Sequence, residues 1–196
     1  MAEFLIANMA PIMFSALIVF LLIGYPVAFS LGACGLVFFF VGVELVEMAI
    51  DVFFAAEGLT PVSEARDGFL VKRAGPYALW CGDIFALPAA VTRGVAAVYD
   101  RASLVAFPPA EQPRFAEALA RLTPVGVPML LIGLEFDAAE MRGPPFPAPR
   151  ARVRDMLGGA FAITELEARE VLAANPGLAK RGLSGLVETA LKLERT

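Results

Sequence analysis

The 196-residue chain contains no histidine, and it has only two cysteines and one tryptophan. Without histidine, it lacks the commonest general base near neutral pH and the commonest ligand of transition metals. Cys34 and Cys81 are too few for a disulfide framework or a four-ligand zinc site. The sequence therefore argues against histidine-dependent triads and zinc sites, and we expect no metal.

Clusters of positive charge are also missing. The chain has 16 Lys and Arg residues against 20 Asp and Glu residues, a formal net charge of −4. A groove that follows nucleic-acid phosphates needs clustered basic side chains. The densest basic stretch, Arg150, Arg152 and Arg154, is typical of one face of a short helix. We therefore expect no nucleic-acid partner.

Charge of either sign is absent from residues 4–43, which contain no Asp, Glu, Lys or Arg. A membrane-spanning helix needs about 20 apolar residues. This run predicts one tilted span or a tight pair of helices in contact with a membrane, interrupted at Gly24, Tyr25 and Pro26. The alternative is that the run is protein core, with residues 17–22 as a strand and 27–34 as a helix, because short apolar runs do not distinguish the two.

Part of this run is similar to a known membrane protein. The sequence Leu-Ile-Gly-Tyr-Pro-Val-Ala-Phe-Ser-Leu-Gly at residues 22–32, with Met9, Met13-Phe14 and Gly35-Leu36, resembles the start of the large membrane subunit of tripartite ATP-independent periplasmic transporters. The resemblance covers about residues 1–41. Because the further spans that hold that subunit's ion and substrate sites do not follow, it implies a membrane segment rather than transport.

From residue 41 onward, short apolar runs alternate with amphipathic stretches, which indicates an α/β domain with a wound sheet. A hairpin is predicted around Gly75-Pro76, and an antiparallel pair is predicted to close the sheet. The predicted strands are residues 41–45, 69–73, 77–81, 96–100, 129–136, 161–167 and 187–193. The predicted helices are residues 48–57, 111–122 and 150–157.

Acidic residues end or follow several predicted strands. Glu44, Asp83 and Asp100 all have this position. In doubly wound sheets, ligands bind beyond the carboxyl ends of the strands, and an acid after the second strand commonly accepts hydrogen bonds from ribose hydroxyls. We therefore expect the acids to face one crevice, with a plain surface charge as the alternative for Glu44.

Around these acids the chain resembles the thiopurine S-methyltransferase family, class I enzymes that use S-adenosylmethionine. The resemblance covers about residues 41–196 and predicts two parts: a transporter-like membrane segment at 1–41 and a truncated methyltransferase-like domain at 42–196. The matching stretches are Val-Gly-Val-Glu-Leu (41–45), Phe-Phe (53–54), Gly-Leu-Thr-Pro (58–61), Cys-Gly-Asp (81–83), Val-Tyr-Asp-Arg-Ala (98–102), Gly-Pro-Pro-Phe (143–146) and Arg-Gly-Leu-Ser (181–184).

The resemblance implies methyl transfer from S-adenosylmethionine to a small soft nucleophile, typically an aromatic or heterocyclic thiol. By position, Glu44 would hold the ribose hydroxyls, Asp83 would help line the adenine side, and Arg101 would lie in the crevice for cofactor and acceptor. Pro145 and Phe146 would help to cover the acceptor. Because a thiolate is already nucleophilic, catalysis would be largely positioning, and no catalytic residue is expected.

The N-terminal part of the family pattern is missing. A helical lid with a cofactor-contacting tryptophan, a central strand and a glycine-containing cofactor loop are not recognisable before residue 41, and Trp80 is expected to pack on the hairpin. We therefore expect a Rossmann-like class I methyltransferase sheet that lacks its native first strand and cofactor loop, preceded by an apolar membrane-spanning helical segment.

Two consequences for function follow from this departure. S-adenosylmethionine binding could be impaired, and the alternative to an enzyme is a non-enzymatic membrane or chimeric protein without activity. The expected location is a membrane, with the soluble domain in the cytoplasm. If the apolar run belongs to the core, the expected location is the cytoplasm alone.

Overall fold

The computed structural model describes residues 46–196. It divides into two compact units, the first ending at Gly82 and the second spanning Asp83–Thr196. The predicted strand at residues 41–45, its Glu44, and the apolar run with its membrane and transporter interpretations lie outside the described residues. Within residues 46–196, no helix combines the length and the hydropathy that a membrane span requires.

The first unit contains a helix and a small antiparallel sheet. Residues 46–56 form helix α1, followed by Gly58 with a φ of +67°, a backbone conformation that favours glycine. Strands β1 (Val62–Arg66), β2 (Phe69–Ala74) and β3 (Tyr77–Cys81) pair in that order. The predicted helix and the β2–β3 hairpin are therefore confirmed. Strand β1 was not predicted, because all five of its residues are exposed and it carries no apolar alternation.

Trp80 lies on this hairpin, as the sequence predicted. Its ring meets Phe69 edge to face, with 5.9 Å between centroids. The guanidinium groups of Arg66 and Arg73 lie 5.5 and 6.0 Å from the ring centroid. These contacts give Trp80 a structural role within the first unit.

The second unit is built on a four-stranded mixed sheet with the order β4–β5–β7–β6. Its strands are β4 (Val98–Arg101), β5 (Pro128–Glu135), β6 (Phe161–Glu170) and β7 (Val187–Arg195). Strands β4 and β5 are parallel, whereas β7 is antiparallel to both β5 and β6. This mixed α/β architecture fits the Rossmann-like methyltransferase fold that was expected. The structure places β3 and β4 in different sheets, so Asp83 and Asp100 do not follow strands of one sheet.

Helices α2 (Gln112–Leu122) and α3 (Arg150–Leu157) cover one face of this sheet. Both were predicted, α3 with the same bounds. Their apolar side chains and alternate residues of the strands form the core: Leu104, Phe115, Leu119, Met129, Leu131, Val153, Leu157, Phe161, Leu191 and Leu193 are all at most 8% exposed. Burying each such side chain contributes about 1.5–3 kcal/mol. Ile132 and Leu134 of β5 lie on the opposite face of the sheet. There they contribute to the functional site described in the next subsection.

The arginines of α3 do not all lie on one face. Arg150 and Arg154 both form ion pairs with Glu165 of β6, at 2.8 and 3.7 Å. Arg152 instead donates a hydrogen bond to Gln112 of α2. A short helix α4 (Pro176–Lys180) precedes β7 and was not predicted.

Candidate functional site

A cavity of about 290 Å³ opens at the carboxyl ends of the parallel strands β4 and β5. This is where ligands bind in wound α/β sheets. Arg101 ends β4, and Ile132 and Leu134 come from the last half of β5. Most of the wall is apolar, with contributions from Val105, Ile132, Leu134, Pro145, Val171, Leu178 and Leu186. We call this space the β4–β5 cavity.

An ion pair supplies the charge of the β4–β5 cavity. Arg101 Nη2 lies 3.4 Å from Glu188 Oε2, and both side chains line the cavity. Arg101 is opposite Ile132 in the β4–β5 register, and Glu188 is opposite Leu134 in the β5–β7 register. Side chains two residues apart on one strand share a face. The pair therefore reaches across β5 over Ile132 and Leu134.

The Gly143–Phe146 motif forms a loop beside the cavity. Pro145 lines the cavity, whereas the ring of Phe146 packs against Gly143, where a Cβ atom would lie only 2.5 Å from it. The Phe146 amide donates to the carbonyl oxygen of Val105 at 2.7 Å. The structure thus brings Arg101 and Pro145 into one cavity and gives Phe146 an anchoring position in the same loop. A contact between Phe146 and an acceptor stays a prediction.

Gln112, which no sequence motif indicated, stabilises this loop by hydrogen bonds from the interior of the second unit. Its side chain is fully buried, and Nε2 donates to the carbonyl oxygens of Phe107 and Pro147, both at 3.2 Å. Its Oε1 accepts a hydrogen bond from Nε of Arg152 at 2.8 Å. Glutamine is usually a surface residue, so no sequence pattern pointed to this role.

Asp83 accepts a hydrogen bond from a residue close to it in the sequence. Its Oδ1 accepts a hydrogen bond at 2.9 Å from the Phe85 amide and caps the 3₁₀ turn Ile84–Ala86. Arg101, in contrast, pairs with Glu188. The two residues assigned to the cofactor by resemblance therefore have separate partners in the described structure, and Glu44 lies outside it. Their roles stay predictions.

Asp100, beside Arg101 at the end of β4, carries an unsatisfied carboxylate oxygen. The residue is 5% exposed, and Oδ1 accepts a hydrogen bond from the Ser103 amide at 3.2 Å. Oδ2 is buried and has no hydrogen-bond partner among residues 46–196. Burial raises the pKa of Asp100 above its ordinary value, although hydrogen bonds from Ser103 and Leu104 oppose the shift. A buried acceptor atom at this edge of the sheet suits a ligand that donates hydrogen bonds.

Comparison with known proteins identifies similar enzymes. The family model for thiopurine S-methyltransferase (TPMT) matches residues 37–196. The chain is 47% identical over 150 residues to the thiopurine S-methyltransferase of Methylococcus capsulatus. The matched region covers 76% of this chain and 68% of the relative. Identity is 41% over 154 residues to the enzyme of that name from Pseudomonas paraeruginosa, covering 79% and 71%. It is 40% over 154 residues to that of Azotobacter vinelandii, again covering 79% and 71%.

Proposed function

Because the chain belongs to the thiopurine S-methyltransferase family, whose methyl donor is S-adenosylmethionine, we propose that it methylates the sulfur of a small aromatic or heterocyclic thiol. The observation that supports this acceptor is the β4–β5 cavity. Its walls are apolar, and its polar groups include the guanidinium of Arg101. Such a cavity suits a flat apolar ring, with the Arg101–Glu188 pair at its polar end.

The described residues include suitable hydrogen-bond partners for some groups of the cofactor. S-adenosylmethionine carries an ammonium group and two ribose hydroxyls, and the buried Oδ2 of Asp100 is an acceptor suited to such donors. Arg101 follows Asp100 at the carboxyl end of β4, with its side chain on the opposite face of the sheet. We propose that Asp100 and Arg101 hold the cofactor, together with Asp83 on the adenine side and Glu44 on the ribose.

When bound, S-adenosylmethionine supplies a methyl group on a positively charged sulfur; the thiolate forms the new S–C bond, and the old bond's electron pair stays on a neutral thioether. The chain's own contribution is positioning. The apolar side chains Val105, Ile132 and Leu134 exclude water from the reacting sulfur. Arg101 attracts a negatively charged group of the acceptor, and its ion pair with Glu188 reduces that attraction.

A direct test combines binding and turnover. We expect calorimetric titration of the full chain with S-adenosylmethionine to give a saturable heat, and methylation of thiophenol and a purine thiol to be seen by mass spectrometry. Replacing Arg101 by glutamine should lower kcat/KM about 10- to 100-fold, a loss of roughly 1.4–2.8 kcal/mol of transition-state stabilisation. The matched control is Arg93→Gln, because Arg93 is exposed and does not line the cavity.

The outcome that would overturn the proposal is the absence of both heat and methylated product at millimolar cofactor. Heat without product would retain the cofactor site and remove the thiol acceptor. The residues before 41, among which the family's cofactor loop is not recognisable, lie outside the described structure, so this titration also measures directly whether the cofactor site is complete.

A second candidate is a membrane-anchored protein, favoured by the absence of charge from residues 4–43. Carbonate extraction of membranes tests it. We expect the chain to stay in the pellet if the run inserts into the bilayer. Recovery of the whole chain in the supernatant would remove the membrane proposal and leave the methyltransferase proposal intact.

A further inference from the structure

We infer that Glu188 is a specificity-determining residue, which controls how strongly the β4–β5 cavity attracts a negatively charged acceptor. The inference rests on the proposed function, since it concerns the thiols that the cavity accepts. Neither the sequence motifs nor the resemblance singled out Glu188. It is identified by its position on β7 and its contact with Arg101.

The sheet geometry brings the two side chains together. Arg101 is on β4 and Glu188 on β7, with β5 between them. Adjacent strands are about 4.8 Å apart, so the two backbones are separated by two such spacings, about 9.6 Å. Only long side chains can meet over that distance. The observed separation of 3.4 Å between Nη2 and Oε2 shows that Arg and Glu together are long enough.

The carboxylate of Glu188 forms its ion pair with Arg101 and not with the basic side chain opposite it on β6. Arg169 is opposite Glu188 in the β6–β7 register, but its guanidinium pairs with Glu167. The remaining polar side chain of the cavity wall, Asn175, donates its amide hydrogen to the Val171 carbonyl at 2.8 Å. The charges in the described cavity wall are therefore those of Arg101 and Glu188.

Pairing makes the polar end of the cavity nearly neutral. An acceptor with its own carboxylate must share Arg101 with Glu188 and is repelled by the second negative charge. Replacing Glu188 by glutamine keeps the size of the side chain and removes the repulsion. The side chains are 62% and 34% exposed, so solvent screens the interaction, and we expect a three- to tenfold effect on affinity.

The experiment compares two acceptors of equal size, 4-mercaptobenzoate and the neutral 4-mercaptobenzamide. The measured quantity is the ratio of their kcat/KM values. We expect Glu188→Gln to raise the ratio in favour of the benzoate three- to tenfold and Arg101→Gln to lower it. The effect should shrink between 20 mM and 0.5 M salt because salt screens exposed charges. Glu167→Gln, which removes a charge paired with Arg169, is the matched control and should leave the ratio unchanged.

Calorimetric binding of the methylated products, 4-(methylthio)benzoate and 4-(methylthio)benzamide, repeats the comparison without turnover. Product binding without methylation by any variant would contradict the proposed function while still testing Glu188. If Glu188→Gln does not fold, Glu188→Asp shortens the side chain by one methylene and should shift the ratio in the same direction. An unchanged or lowered ratio in the folded variant would overturn the inference.

Discussion

Replacing Gln112 by leucine would remove three hydrogen bonds from the interior of the second unit at nearly constant side-chain volume. The carbonyl oxygens of Phe107 and Pro147 would lose their donor, and Nε of Arg152 would lose its acceptor. A net contribution of about 1 kcal/mol per hydrogen bond gives a loss of about 3 kcal/mol in the free energy of unfolding.

The loss should be visible in thermal unfolding of the full chain, followed by circular dichroism. At roughly 2–4 °C per kcal/mol for a chain of this size, 3 kcal/mol lowers Tm by roughly 6–12 °C. Because Pro147 follows the loop that carries Pro145 into the cavity, we also expect the KM for the thiol to rise severalfold. The affinity for S-adenosylmethionine should change less, since the hydrogen bonds of Gln112 go to Phe107, Pro147 and Arg152 and not to Asp83, Asp100 or Arg101.

The control for this change is Glu117→Leu on the same helix, where the side chain is exposed and the expected effect is within about 0.5 kcal/mol. A loss below about 1 kcal/mol for Gln112→Leu would refute the argument, because the two carbonyl oxygens would then have other donors. An equal loss in both variants would point to helix α2 as a whole rather than to Gln112.

Other residues give further predictions. Because burial raises the pKa of Asp100, the folded state disfavours its charged form, and stability is lost as pH rises from the unfolded pKa through the folded one. Asp100→Asn should therefore raise Tm at pH 7.5 and change it little near pH 4, while weakening cofactor binding; a pH-independent difference in Tm would contradict this. At Gly133, an added Cβ would lie 2.9 Å from Thr189 Oγ1 and 3.0 Å from the Ala148 carbonyl oxygen. Gly133→Ala should cost about 1–3 kcal/mol in urea unfolding, and adding Thr189→Ala should restore part of it; no restoration would place the clash elsewhere.

Local patterns in the sequence were sufficient for most elements of the fold. Helix α3 was predicted with its observed bounds, directly after the proline-rich loop that ends at Pro149. The β2–β3 hairpin followed from Gly75-Pro76 between two apolar runs. Strand order could not be predicted in this way, because periodicity along one strand carries no information about its partner. The position of β7 between β5 and β6 therefore required the structure.

The residues of the candidate site likewise divide into those that the sequence indicated and those that only the structure shows. The resemblance named Arg101 and Pro145, which the structure places in one cavity. Glu188 was missed because its approach to Arg101 depends on the registers of β4 and β7 against β5. Asp100 was noticed as a strand-ending acid, but its buried Oδ2 depends on packing that no spacing rule describes. What the sequence could not supply was contact between residues distant along the chain.

The insertion of β7 between β5 and β6 also sets an order for synthesis and folding. Strand β6 is made before β7, yet its pairing in the sheet is with β7. While β7 is still inside the ribosome, β5 and β6 each expose an unpaired edge, and such edges can pair with other chains. Leu186 and Glu188 reach the cavity together with β7, so the wall that would hold an acceptor is completed only when almost the whole described chain has been translated.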